Sequence, residues 1–414
     1  VLWAALTLGA LPLGGLPAAA AAQNYVDRRV SGLSAAALLA GPPAHLVDPR
    51  RQRVALPFRR YSRLLFVIWA GSQIAAFFYL WFSGYAARLR DLLRRADLPV
   101  AVLRAAYGAS LAYLAGLASL PSALVIYRLD VSFGMTNEST FEWLRDGFVG
   151  VSLDALLIGA VVAFLFALVD RTRLWYAYGA IGLAALTLVM AFLEPLTVAP
   201  LFNRFTPLPV RSAAYAPLAA LAQRAGSGDA PIVVANFSRR SHAIVADIAG
   251  FGPTKRIVLG DSLLADATLG EVLFLTAREF GHYNHADDFR LSLFWTLLFM
   301  VCIALGVLCA DRVAFRRDDD PLARLSLVLG FMGLFALACT PLYNTFSRGL
   351  EAQADAYALA LTGDRASAVR AYVRITDETL TPLCPARAVR FYFYNSPPMG
   401  TRIAKAEGRA DPCP

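Results

Sequence analysis

The feature that most constrains this chain is its series of apolar runs, each close to the length that crosses a bilayer as a helix. They fall near 64–84, 102–127, 149–169, 175–194, 292–310 and 323–343, and an alanine-rich, uncharged stretch occupies 1–22. In hydrocarbon every backbone N–H and C=O must find its partner inside the protein, so runs of ~20 apolar residues read as transmembrane helices. A chain that is 57% hydrophobic, with a mean hydropathy of +0.52, is too apolar for an ordinary soluble enzyme. The expected fold is mainly α: a seven-span integral membrane helical bundle, or six spans plus a signal peptide. Stretch 1–22 ends P-A-A-A-A-A-Q, which suits a cleavage site, but it lacks a basic start and an arginine run follows it. A first span is therefore the preferred reading.

The other segments follow from the spans. Residues 23–63 read as a basic loop, 64–194 as four spans, 195–291 as a soluble segment, 292–343 as two spans, and 344–414 as a second soluble piece. With seven alternating spans, 23–63, 128–148, 195–291 and 344–414 share one face of the membrane. The net charge of +9 is nearly all arginine and flanks the apolar runs, which points to the lipid bilayer as partner and away from nucleic acid. Arginines on the other face, among them Arg88, Arg90, Arg94, Arg95, Arg316 and Arg317, leave the charge rule weak on orientation. Asp154 and Arg104 lie within or at the edges of spans, where reaching the headgroups is preferred to an intramembrane role. Cys302, Cys309 and Cys339 lie in spans; Cys384 and Cys413, in the tail, are free to pair, and no C-x-x-C occurs.

In 195–291, Pro231–Ala235 reads as a strand, and Ala243–Ala249 with Arg256–Leu259 as a hairpin turned at G-F-G-P. An edge strand beside the following helix offers an extended peptide a place to bind by strand addition. Thr268 and Glu271 form a capping box, which opens a helix carrying L-T-A-R-E-F-G-H-Y-N-H at Leu275–His285. This differs from H-E-x-x-H by one residue. In that motif two imidazoles one helical turn apart share a zinc ion, and the glutamate between them takes a proton from the bound water. Here Arg278 stands at the first histidine, with Glu279 and His282 in place. A guanidinium stays protonated and offers only donors, so it cannot ligate zinc. Farther on, Glu351 and Asp355 lie one turn apart on a second helix.

Taken together these stretches resemble the CAAX prenyl endopeptidase family of membrane zinc metalloproteases. The telling runs are P-L-F-N-R-F-T-P-L at 200–208, F-G-P-T-K-R-I-V-L-G-D-S-L-L at 251–264 and F-S-R-G-L-E-A-Q-A-D-A at 346–356. The resemblance implies a seven-span bundle around a large intramembrane chamber, roofed by a small α+β zincin-like cap. It implies zinc as cofactor, held by His282 and Glu351 together with the missing first histidine. Glu279 falls on the general base and Asp355 on the residue that orients a ligand histidine. Membrane-associated or lipidated polypeptides are the implied substrates. The arginine run after 1–22 argues for a cytoplasmic cap, and a bacterial inner membrane is the expected setting.

Three positions depart from the family's pattern. Arg278 replaces the first ligand. Val245 stands where N-A-x-V-A-G would place a substrate-holding asparagine. Ser396 replaces the histidine of H-P-x-x-x-x-R-I, while Arg402 and Ile403 persist. The expectation is a degenerate member, a pseudoprotease, in which Arg278 substitutes for the metal's charge by pairing with carboxylates. The alternative is an active zinc metalloendopeptidase with a rearranged site that recruits His242 or His285. A transporter is disfavoured because the chemistry sits in the soluble segments.

Overall fold

The structure is a computed structural model and describes residues 26–413 apart from 229, 251 and 315–319. The expected first span, 1–22, lies outside the described residues. Among the described residues six helices are long and apolar enough to cross a membrane: α1 (Pro49–Phe82), α2 (Val100–Ser132), α3 (Thr140–Arg171), α4 (Trp175–Thr197), then α6 (Asp287–Ala314) and α7 (Pro321–Thr362) after the cap's first part. Between α4 and α6 come the strands β1 (Phe205–Pro207), β2 (Ile232–Ala235), β3 (Ala246–Ala249) and β4 (Arg256–Gly260), then helix α5 (Leu269–Asn284). Helices α8 (Arg365–Glu378) and α9 (Met399–Glu407) complete the cap.

The membrane helices overrun their apolar runs at the cap side. Helix α7 has 42 residues, roughly 63 Å at 1.5 Å per residue, and passes without a break through the expected boundary at 343/344 before ending at Gly363 in the left-handed region. Helix α6 likewise crosses 291/292. The expected basic loop 23–63 is corrected too, because residues 49–63 belong to α1. Cap contacts hold that overhang. Arg51 donates to the carbonyls of Asp377 (2.8 Å) and Glu378 (3.2 Å), and Arg59 to those of Thr379 (2.7 Å) and Leu380 (3.1 Å). The α2–α3 connection also reaches the cap, Asn137 N–H donating to the Arg240 carbonyl at 2.8 Å. At the opposite face Arg94 pairs with Asp320, and Arg104 with Asp170, both at 2.6 Å. Arg104 is thus an end-of-span arginine.

The cap's sheet runs in the order β1-β2-β4-β3. The hairpin read from G-F-G-P is present, with β3 antiparallel to β4 and Ile248 opposite Ile257; β2 lies parallel to β4. Strand β1, inside P-L-F-N-R-F-T-P-L, carried no strand signal because a Pro-flanked three-residue strand is too short to alternate. The capping box of Thr268 and Glu271 forms in full. Helix α5 buries Phe274, Ala277 and Phe280 against Ile257, Leu259 and Tyr372. Gly281 permits its close approach to α7, since a Cβ there would come within 3.1 Å of Ala354 Cα. Cys384 and Cys413 are joined in a disulfide packed against Gly400 at the start of α9.

Candidate functional site

The site forms where α5 crosses the cap end of α7 and α9 closes over both. The capping box fixes where α5 begins and so which side chains turn toward α7; 3.6 residues per turn then carries Arg278 and His282 onto that face together. A cavity of about 430 Å³ opens there, and its wall includes Arg278, Glu279, His282, Glu351, Ser396 and Arg402.

Arg278 occupies the centre. Its Nη2 donates to Glu351 Oε2 at 2.6 Å and its Nε to Asp355 Oδ1 at 2.8 Å, while Nη1 lies 3.4 Å from Glu279 Oε1. Arg402 grips the same aspartate from the other side, Nε to Oδ2 at 2.8 Å and Nη2 to Oδ1 at 2.7 Å, with its guanidinium stacked 4.5 Å from the centroid of the Tyr372 ring. Such bidentate, charge-assisted bonds are the strong class of side-chain hydrogen bond. Burial works against the charge on Arg278, but Asp355 and Glu279 hold it above the usual arginine value. Burial also pushes Glu279 up to about 8, with Arg278 opposing the rise.

His282 is oriented by Asp287, Nδ1 to Oδ2 at 3.0 Å, and its Nε2 stands 3.6 Å from Glu351 Oε1. Asp287 was missed in the sequence reading. Its signal was the acidic pair opening α6 just after α5 ends, which reads equally well as ordinary first-turn acid at a helix start. Asp355, expected to orient a histidine, instead joins the two arginines. The other expected residues scatter. Val245 is not in the cavity wall; its carbonyl accepts from Gly260 N–H at 2.8 Å ahead of β3, because the strand begins only at Ala246. Ser396 is in the wall but makes only a 3.5 Å contact with Asn395. His242 lines a different cavity with Arg59 and Asp130, and His285 packs edge-on against Tyr357. Neither is in the wall of the cavity that holds Glu351. Asp247, Glu279, Asp287 and Asp288 line the cavity beside His282 and Glu351, yet among the described residues no three or more His, Cys, Asp or Glu side chains are grouped to hold a metal ion, and a bonded guanidinium stands where a third ligand would.

Two family profiles match the chain, one described as the CAAX prenyl protease N-terminal part with five membrane helices over residues 60–204, the other as peptidase family M48 over residues 215–410. The chain is 26% identical over 378 residues to the uncharacterized metalloprotease YhfN of Bacillus subtilis, covering 88% of this chain and 87% of that one. It is 28% identical over 322 residues to a CAAX prenyl protease 1 homolog of Oryza sativa, covering 72% and 73%. The crystal structure of S. mikatae Ste24p superposes with a TM-score of 0.73 at 20% identity, covering 91% of this chain and 96% of that chain, a likeness of fold.

Proposed function

Because the chain belongs to the CAAX prenyl protease family of membrane zinc metallopeptidases, we propose that it is a pseudoprotease, which binds membrane-embedded or lipidated polypeptides without cutting them. The observation that carries the reading is the Arg278 guanidinium bonded to both Glu351 and Asp355. Zinc in a catalytic site takes three protein ligands and leaves one position open. Among the described residues no group of three or more His, Cys, Asp or Glu side chains is placed to hold a metal, and Glu351, the expected ligand beside His282, already accepts from Arg278. A guanidinium bonded in the third ligand's place does not fit zinc. A fixed cation in the metal's place keeps the carboxylates neutralised and the cap folded, while the Lewis acid is gone.

Zinc stoichiometry of the purified protein tests this directly. The parent is expected to hold close to none, and Arg278→His to take up about one per chain. A parent that retains about one zinc per chain would sink the reading and return the alternative of a rearranged active site.

We also place the cap outside the cytoplasm, against the orientation first expected. The Cys384–Cys413 disulfide belongs to an oxidising compartment. The arginines Arg88, Arg90, Arg94 and Arg95 sit in the short α1–α2 connection on the opposite face, whereas the short cap-side connection 133–139 carries none. Arg50, Arg53, Arg60 and Arg63 pull the other way; Arg51 and Arg59 beside them are tied into the cap. In cells quenched with acid and alkylated at once, Cys384 and Cys413 are expected to resist maleimide until reduced. Immediate labelling of both would put the cap back in the cytoplasm.

A further inference from the structure

Between α8 and α9 the short helix Arg387–Phe393 lies against the cap-side ends of two membrane helices. Tyr392 Oη donates to the Leu337 carbonyl of α7 at 2.9 Å, and the Phe393 ring stands 6.4 Å from that of Phe66 on α1. Leu337 and Phe66 belong to the apolar runs 323–343 and 64–84, and Leu342 and Leu64 at the ends of those runs are exposed, as lipid-facing residues are. Arg348 follows the α7 run by five positions, roughly 8 Å at 1.5 Å per residue, which is the depth of the headgroup layer outside the hydrocarbon core. The short helix therefore sits where hydrocarbon gives way to headgroups, and it leaves Phe391 exposed there.

A cavity of about 440 Å³ opens beside this helix, and Arg348, Arg387, Arg390, Phe391 and Asp411 are in its wall. Arg348 is fixed in place: Nη1 donates to the carbonyls of Arg390, at 3.1 Å, and Tyr394, and Nη2 to Thr345 Oγ1 at 2.6 Å. Among the described residues none of the three guanidiniums has a carboxylate partner. Asp411, the acid of the same wall, accepts from Thr401 Oγ1 at 2.8 Å and from Cys413 N–H at 2.9 Å. Elsewhere at the same junction the chain neutralises its own arginines, Arg239 and Arg240 pairing with Glu138, Glu142 and Asp146. A hollow lined by an excess of one charge concentrates ions of the other sign.

We propose that this cavity holds the headgroup of an anionic phospholipid, with its phosphate on Arg387 and Arg390 and its acyl chains beside Phe391. The planar guanidinium fork matches phosphate oxygens, and basic clusters at the membrane surface recruit anionic lipid. The volume lies in the ~300–1,000 Å³ range of small-molecule sites. A zwitterionic phosphatidylcholine would bring its choline cation in among three guanidiniums, so a headgroup with net negative charge is preferred. At headgroup depth the bilayer itself supplies the phosphate, whereas an acidic polypeptide would have to come in from water. The inference stands apart from the reading of the Arg278 site, because none of these three arginines lines that cavity.

Native mass spectrometry of the delipidated full chain in detergent, titrated with dioleoyl phosphatidylglycerol or dioleoyl phosphatidylcholine, tests it. The first phosphatidylglycerol is expected to bind at least about tenfold more tightly than phosphatidylcholine, a ratio set by the headgroup because the acyl chains are alike. Arg387→Gln combined with Arg390→Gln is expected to abolish that preference at an unchanged melting temperature. Arg88→Gln with Arg95→Gln, which removes the same charge from the opposite face, is expected to keep it. The proposal is overturned if the parent binds the two lipids alike, if the first double variant keeps the preference, or if the second loses it equally, which would mean bulk charge rather than a site. It is also overturned if glycerol 3-phosphate displaces the lipid as well as unlabelled phosphatidylglycerol does, which would make the occupant a soluble phosphate. Displacement of that strength by an acidic peptide would make it a polypeptide and overturn it too. The lipid comparison and the competition use the parent alone, so a variant that fails to fold does not spare the idea.

Discussion

Arg374→Met is expected to lower the stability of the cap by about 3–5 kcal/mol, the range for removing one partner of a buried ion pair. Arg374 and Glu271 are both fully excluded from solvent, 0% exposed on each side, with Nε on Glu271 Oε1 at 2.7 Å. The same guanidinium also donates to Ser31 Oγ at 2.5 Å and to the Asp27 carbonyl at 3.1 Å, so it ties the N-terminal segment to α8 and α5. Glu271 meanwhile accepts from Thr268 in the capping box of α5. Methionine fills similar volume but strands that carboxylate without a cation, and the start of the site helix loosens with it. The check is a denaturant titration of detergent-solubilised protein, with hydrogen-exchange protection of Leu269–Asn284 reporting on the cap. A second change, Glu271→Met on top of Arg374→Met, is expected to recover much of the loss, because apolar replacement of a whole buried pair is often neutral. Parental stability in the single variant would mean that the pair contributes little.

Arg278→Ala is the second large effect, a loss of about 3 kcal/mol. The site sets Arg278 and Arg402 against Glu279, Glu351 and Asp355; removing Arg278 leaves one guanidinium among three carboxylates. Asp355 keeps both of its bonds to Arg402, which holds the effect at the low end of the range for buried pairs. Glu351, only 21% exposed, loses its 2.6 Å partner and is left with His282 and a distant Arg402. Like charges crowded this way oppose ionisation, so part of the lost stability is expected to return as the pH is lowered. A melting temperature equal to the parent's would show that Arg278 does not replace a metal's charge.

The parts of this molecule written in local sequence signals were legible before any coordinates. Apolar runs of bilayer length give the six described spans, G-F-G-P gives the β3–β4 hairpin, and Thr268 with Glu271 gives the start of α5. Arg278, Glu279 and His282 stand out by their near-match to H-E-x-x-H and Glu351 by the family resemblance, and all four line one cavity. What spacing could not reveal is who pairs with whom. The two-arginine grip on Asp355 joins residues 77 and 47 positions apart, and it depends on the close α5–α7 approach allowed at Gly281. Asp287 beside His282 and the helical overhang of α1 on the cap are likewise products of packing. Periodicity, caps and turns act over a few residues, so the sequence by itself determined the elements, the membrane class and the identity of the odd residue at 278. Only the tertiary structure decided that this residue is a bonded cation at the centre of the site, because that depends on carboxylates brought in from a distant helix.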